Sequence, residues 1–143
     1  MRFVSAFAAA GVAFFALPAP SRMQALAQQP KVDCKDPQTQ TEMTYCAEQD
    51  FNAADKALNA QYQTSRKLMK ERDSDAEPSL KGGEDALLKA QRAWVSYRDA
   101  QCASYGYQAH GGTMEPMLIY SCRADLTRKR TEELKKLLDT SGN

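Results

Sequence analysis

Four cysteines, Cys34, Cys46, Cys102 and Cys122, constrain this chain more than any other feature, because all of them follow a segment that reads as an export signal. Arg2 gives a positive start, Phe3 to Leu17 is apolar, and Ala25-Leu26-Ala27 offers a small-residue cleavage site. The apolar run stops at Leu17-Pro18, short of the roughly 20 residues a membrane anchor needs. Residues 1–27 are therefore expected to be a cleaved signal peptide, and no cysteine near the cleavage site suits lipid attachment. An exported chain meets an oxidising compartment, periplasmic or extracellular, where an even set of cysteines forms disulfides. Of the three possible pairings, the two local ones are expected, Cys34 with Cys46 and Cys102 with Cys122, since each pair flanks a turn. Each bridge would stabilise the fold by roughly 3 kcal/mol in the chain-entropy model. A zinc site is disfavoured: there is no C-x-x-C, and His110 is the single histidine.

That stabilisation matters because the core is thin. Residues 28–143 make one domain of ordinary size, with one Phe (Phe51), one Trp (Trp94) and six Tyr. The 19 basic and 18 acidic side chains become 17 and 18 once Arg2 and Arg22 leave with the signal. So balanced a chain carries no field for nucleic acid or anionic lipid.

Three helices are expected, up-down-up, in an all-α, disulfide-stapled small domain. Thr39 and Glu42 form a capping box that starts the first. Its apolar face runs Met43, Cys46, Phe51, Ala54, Leu58, Tyr62 and Met69, and it should end near Lys70. A polar connection from Glu71 to Gly83 contains Pro78 and Gly82-Gly83. The second helix buries Leu87, Ala90 or Gln91, Trp94, Tyr97 and Gln101, ending between Cys102 and Tyr105. Ala103 to Gly112 reads as a surface turn. Thr113 is placed to cap a third helix with Pro116 in its first turn, buried through Ile119, Cys122, Leu126, Leu134 and Leu137. Arg130 fills the gap in that face, where Asp55 of the first helix is expected to pair with it. Arg92 and Arg98 flank Trp94, so one of them can cover the indole.

No catalytic constellation emerges. A nucleophile needs an adjacent base, the one histidine lies between glycines, and the cysteines are expected to be oxidised. No phosphate-binding, dinucleotide or metalloprotease motif occurs. No catalytic residue, metal or cofactor is expected, and the reading is a binding protein rather than an enzyme.

Residues Leu87 to Cys102, LLKAQRAWVSYRDAQC, resemble the signature of the LprI-like lysozyme-inhibitor family, with its A-Q-R-A-W core, an aromatic followed by R-D, and a cysteine. TQTEMTYCA at 39–47 and ADKALNAQY at 54–62 are similar to the same family's first-helix motifs, and LTRKR at 126–130 with Glu133 and Leu134 to its last segment. The likeness covers about residues 34–138. It implies that the four cysteines are the family's disulfide framework. It also implies that Trp94, Tyr97, Arg98, Asp99, Asp55, Asn59 and Arg130 are its recurrent polar-aromatic set.

The resemblance implies an exported inhibitor of lysozyme or a related peptidoglycan-cleaving enzyme of the bacterial envelope. The alternative is a non-catalytic envelope stress or assembly factor that binds another protein. Under the first reading, Tyr105, Tyr107 and His110 are the expected partner contacts, in the one segment that no core role explains. A catalytic cleft lined by two carboxylates suits a plug carrying aromatic surface and hydrogen-bond donors.

Overall fold

The computed structural model describes residues 32–139; the expected signal peptide lies outside the described residues. The fold is all-α: α1 Gln40–Asp75, α2 Gly83–Gly106 and α3 Glu115–Asp139, joined by short 3-10 turns at Pro78–Leu80 and Tyr107–Ala109. Both local disulfides are present, Cys34–Cys46 and Cys102–Cys122.

The start of α1 follows its sequence. Thr39 Oγ1 accepts from the Glu42 N–H at 3.2 Å, and Glu42 Oε2 accepts from the N–H of Thr39 at 3.0 Å and of Gln38 at 2.7 Å. The end does not. α1 continues past Lys70 to Asp75 because Glu71-Arg72-Asp73-Ser74-Asp75 contains no breaker. The helix gives way just before Glu77-Pro78, where proline disfavours helical geometry in the residue ahead of it.

That extra turn starts the next helix. Gly82, at φ 129°, occupies the N-cap of α2 and has no side chain to offer. Asp73 supplies the cap from outside: Oδ1 accepts from the N–H of Gly82 (3.1 Å) and Gly83 (2.9 Å), and Oδ2 from that of Glu84 (2.9 Å). Three of the orphan donors of a helix start are thereby satisfied. The Glu84 and Gly83 N–H groups, in that order, hold the Asp73 carboxyl below its ordinary value.

Side-chain pairs fix the directions. Ser65 meets Leu134 and Gln40 meets Met117, so α1 and α3 run parallel. Arg66 pairs with Glu84 and Asp55 with Arg98, so α2 runs antiparallel to α1. Leu58, Leu87 and Leu134 form the buried core, with Tyr62, Met69, Trp94 and Leu137 packed around it. Between the large residues, α1 and α3 bury small ones: Ala54, Ser65, Ala124, Thr127 and Thr131. Their hydroxyls stay paired, Ser65 Oγ donating to the Leu134 carbonyl at 3.4 Å and Thr131 Oγ1 to that of Thr127 at 2.9 Å.

Two expected faces are displaced. On α2 the buried positions are Leu87, Arg98, Cys102 and Gly106, with Gln91 and Trp94 half-buried. Steps of four and three residues from Leu87 lead to Arg98 and Cys102, which turns Tyr97 and Gln101 out to solvent. On α3 the deepest line runs Ala124, Thr127, Thr131 and Leu134, while Ile119, Cys122, Leu126 and Leu137 are half-buried beside it. Small polar residues were the missing part of that stripe. Nor does Thr113 cap α3: the Leu118 N–H bonds the Met114 carbonyl at 3.1 Å, which puts Met114 at the cap, with Pro116 in the first turn as expected.

Gly106 lets the end of α2 approach α3. A Cβ there would sit 2.5 Å from Ile119 Cγ1. This close crossing lies beside the Cys102–Cys122 bridge, whose Cys102 is fully buried.

Candidate functional site

Two constellations stand out, one interior and one at the α2–α3 turn. The interior one gathers most of the motif residues around Arg98, whose side chain is only 9% exposed. Its Nη1 donates to Asp55 Oδ1 at 3.0 Å and to Thr127 Oγ1 at 3.4 Å, and its Nε to Asp99 Oδ1 at 3.0 Å. The guanidinium lies over Phe51 (5.1 Å to the ring centroid) and Trp94 (5.3 Å). Asn59 Nδ2 steadies the other Asp55 oxygen at 2.9 Å, and Arg123 Nε comes within 3.2 Å of Asp99. One charge from α2 thus ties α1, α2 and α3 together. Arg98, and not Arg92, covers the Trp94 indole.

Asp55 does not pair with Arg130. The register that sets Ser65 against Leu134 places Arg130 roughly six residues, about 9 Å, further along α1 than Asp55. Arg130 instead bonds Gln91 Oε1 at 3.1 Å and Glu133 Oε2 at 2.9 Å. Tyr97, also of the motif set, takes no part in the cluster and is 55% exposed. The cluster is a fastener: its arginine is closed off by two rings and three oxygens.

The α2–α3 turn is more ordered than a surface loop. Ala103 to Gly106 finish α2, and Tyr107–Ala109 form a 3-10 turn. The Tyr107 and His110 rings stack at 4.1 Å with 6° between their planes. Glu115, in the first turn of α3, reaches back to His110 and Gly111: Oε1 lies 3.1 Å from His110 Nδ1 and Oε2 accepts from the Gly111 N–H at 2.8 Å. The His110 bond first, then the Gly111 N–H, hold the Glu115 carboxyl below the usual carboxylate range. Gly111 takes φ 75°, a left-handed conformation that glycine adopts freely.

The result is a presented surface. Tyr107 is 66% exposed and the His110 side chain 58%, although Glu115 holds His110 from behind and Tyr107 stacks on it. Tyr105, the third expected contact, stands on the last turn of α2 and faces the groove between α2 and α3 instead. Glu115 and Asp73 were missed in the sequence because each acts on a backbone turn through its side chain, which periodicity does not register. Among the described residues no cluster of His, Cys, Asp or Glu is placed to hold a metal ion, and no helix is long and apolar enough to cross a membrane.

Fold and site together define a small helical domain, braced by two disulfides, that presents a rigid aromatic turn. Residues 33–134 match the model of the family described as Lysozyme inhibitor LprI, and the chain belongs to that family. It is also similar to an uncharacterized protein of Rhizobium meliloti (strain 1021), 47% identical over 120 residues that span 82% of this chain and 86% of that protein. No solved structure matches it.

Proposed function

We propose that the chain is exported, is cleaved after its signal, and inhibits lysozyme or a related peptidoglycan-cleaving enzyme in the bacterial envelope. Its membership of the lysozyme-inhibitor family carries this reading. The Tyr107–His110 stack supports it as the contact surface, without Tyr105, which lines the groove between α2 and α3. Binding is favoured when the groups involved are already ordered; here Glu115 bonds His110 and the Gly111 N–H, Tyr107 stacks on His110, and the turn lies in sequence between the bridged Cys102 and Cys122. Tyrosine is also frequent among the residues that dominate interface energies. In the bound state Tyr107 packs on the sugar-binding surface of the enzyme and His110 faces a catalytic carboxylate.

Calorimetric titration of the oxidised protein into lysozymes of different types tests the reading. Saturable equimolar binding to at least one type is expected. Absence of binding to all of them would leave the family's activity unsupported in this chain and favour a different protein partner.

A further inference from the structure

Tyr97 sits within the motif segment of α2, yet it neither packs in the core nor joins the Arg98 cluster. It lines a groove of about 340 Å³ between α2 and α3. Residues four apart stack along a helix face, and three such rows build the groove. Tyr97, Gln101 and Tyr105 form one wall, and Ser121, Asp125 and Lys129 the other. Leu118, Cys122 and Leu126 make the floor. Tyr97 and Tyr105 are 55% and 44% exposed, and eight residues of helix separate them by about 12 Å.

We propose that this groove binds a neutral oligosaccharide. Sugar rings carry apolar C–H faces that lie on tyrosine rings and hydroxyls that both donate and accept hydrogen bonds. The walls match both properties. Tyr97 and Tyr105 supply flat surface, with a polar tip on each ring. Asp125 is an acceptor, Lys129 a donor, and Gln101 and Ser121 are both. Arg128 holds Asp125 through Oδ1 at 2.6 Å, which leaves Oδ2 for a ligand hydroxyl.

The charge pattern selects against other occupants. An apolar helix laid in the groove would strip water from Asp125 and Lys129 without replacing it, which is costly. An anion would face Asp125 and a cation Lys129, whereas an uncharged polyol satisfies both. The Cys102–Cys122 bridge joins the two helices along the groove and fixes the spacing of its walls before a ligand arrives.

Titration of the oxidised protein with chitotetraose, and separately with cellotetraose, followed by amide chemical shifts, tests this with no lysozyme present, so its outcome is independent of enzyme inhibition. Shifts at Gln101, Ser121 and Lys129 with a Kd below about 1 mM for either tetramer are expected. Preference for chitotetraose would add recognition of the acetamido group. Tyr97→Ala and Tyr105→Ala should each weaken binding by about tenfold while leaving the helical spectrum and melting point unchanged. No shift with either sugar, or shifts that survive both replacements, would overturn the proposal. So would groove shifts that follow protein concentration instead of added sugar, since the groove would then be an interface between two copies of the chain.

Discussion

Arg98 brings a permanent charge into the interior, but the two carboxylates that balance it stay in contact with water. Asp55 and Asp99 are 37% and 42% exposed, against 9% for the arginine. Removing either end therefore has unequal consequences. Arg98→Ala takes away the packing of a large buried side chain against Phe51 and Trp94 and its bonds to all three helices, and should lower unfolding free energy by about 3 kcal/mol. Asp55→Ala removes a screened partner while Asp99 remains, and should lower it by about 1 kcal/mol or less. Denaturant midpoints at constant slope check the asymmetry; equal losses would mean that the ion pair, rather than the arginine's packing, is what matters. Asp55, Arg98 and Trp94 were legible in the motif, but their pairing was not. It depends on the antiparallel register of α2 against α1, which no spacing within one helix encodes.

Glu115 makes a prediction about acid at the same scale. Its carboxyl is depressed in the folded protein by the bond to His110 and by the Gly111 N–H. A depressed carboxyl stabilises the fold fully above its unfolded pKa of about 4 and loses that contribution as pH falls through the folded value. Amide exchange at Gly111 should thus quicken on acidification below about pH 4 beyond the intrinsic chemistry. Glu115→Gln should remove the pH dependence, and an unaltered acid profile in that variant would show that the carboxylate does not hold the turn.

Each helix shows a different share of sequence legibility. The capping box of α1 was readable because it is local: Thr39 and Glu42 satisfy one another within a turn. The start of α2 was not, since its cap comes from Asp73, nine residues before Gly82 in another helix. Asp73→Ala should destabilise the start of α2, as losing an N-cap does, and fray its first turn. Exchange protection at Gly83 and Glu84 reads this out; unchanged protection would place the cap elsewhere. The buried faces were legible in part. Apolar spacing located Leu58, Leu87 and Leu134. It passed over Ser65, Thr127 and Thr131, because a hydroxyl bonded to a backbone carbonyl can be buried at a helix contact without appearing apolar.

At the scale of the whole fold, three leucines form the small buried core among the described residues, and the disulfides compensate for it. The Cys102–Cys122 bridge closes a separation of 20 residues around the presented turn. Replacing both cysteines by serine should lower stability by about 2 to 5 kcal/mol, read as a shift in the denaturation midpoint; an unmoved midpoint would contradict a bracing role. The same loss should loosen the turn, so binding should weaken even under conditions where the helices remain folded.

If this turn stops a lytic enzyme, residual lysis of cell walls by a susceptible lysozyme, titrated with oxidised protein, measures it directly. Inhibition complete near one equivalent is expected. The double replacement Tyr107→Ala with His110→Ala should weaken inhibition by about tenfold or more, a loss of about 1.4 kcal/mol, with helical spectrum and melting point nearly unchanged. Lysis that proceeds undiminished at excess wild-type protein for every lysozyme type would contradict the function, and inhibition that survives the double replacement intact would move the contact surface to another face of the domain.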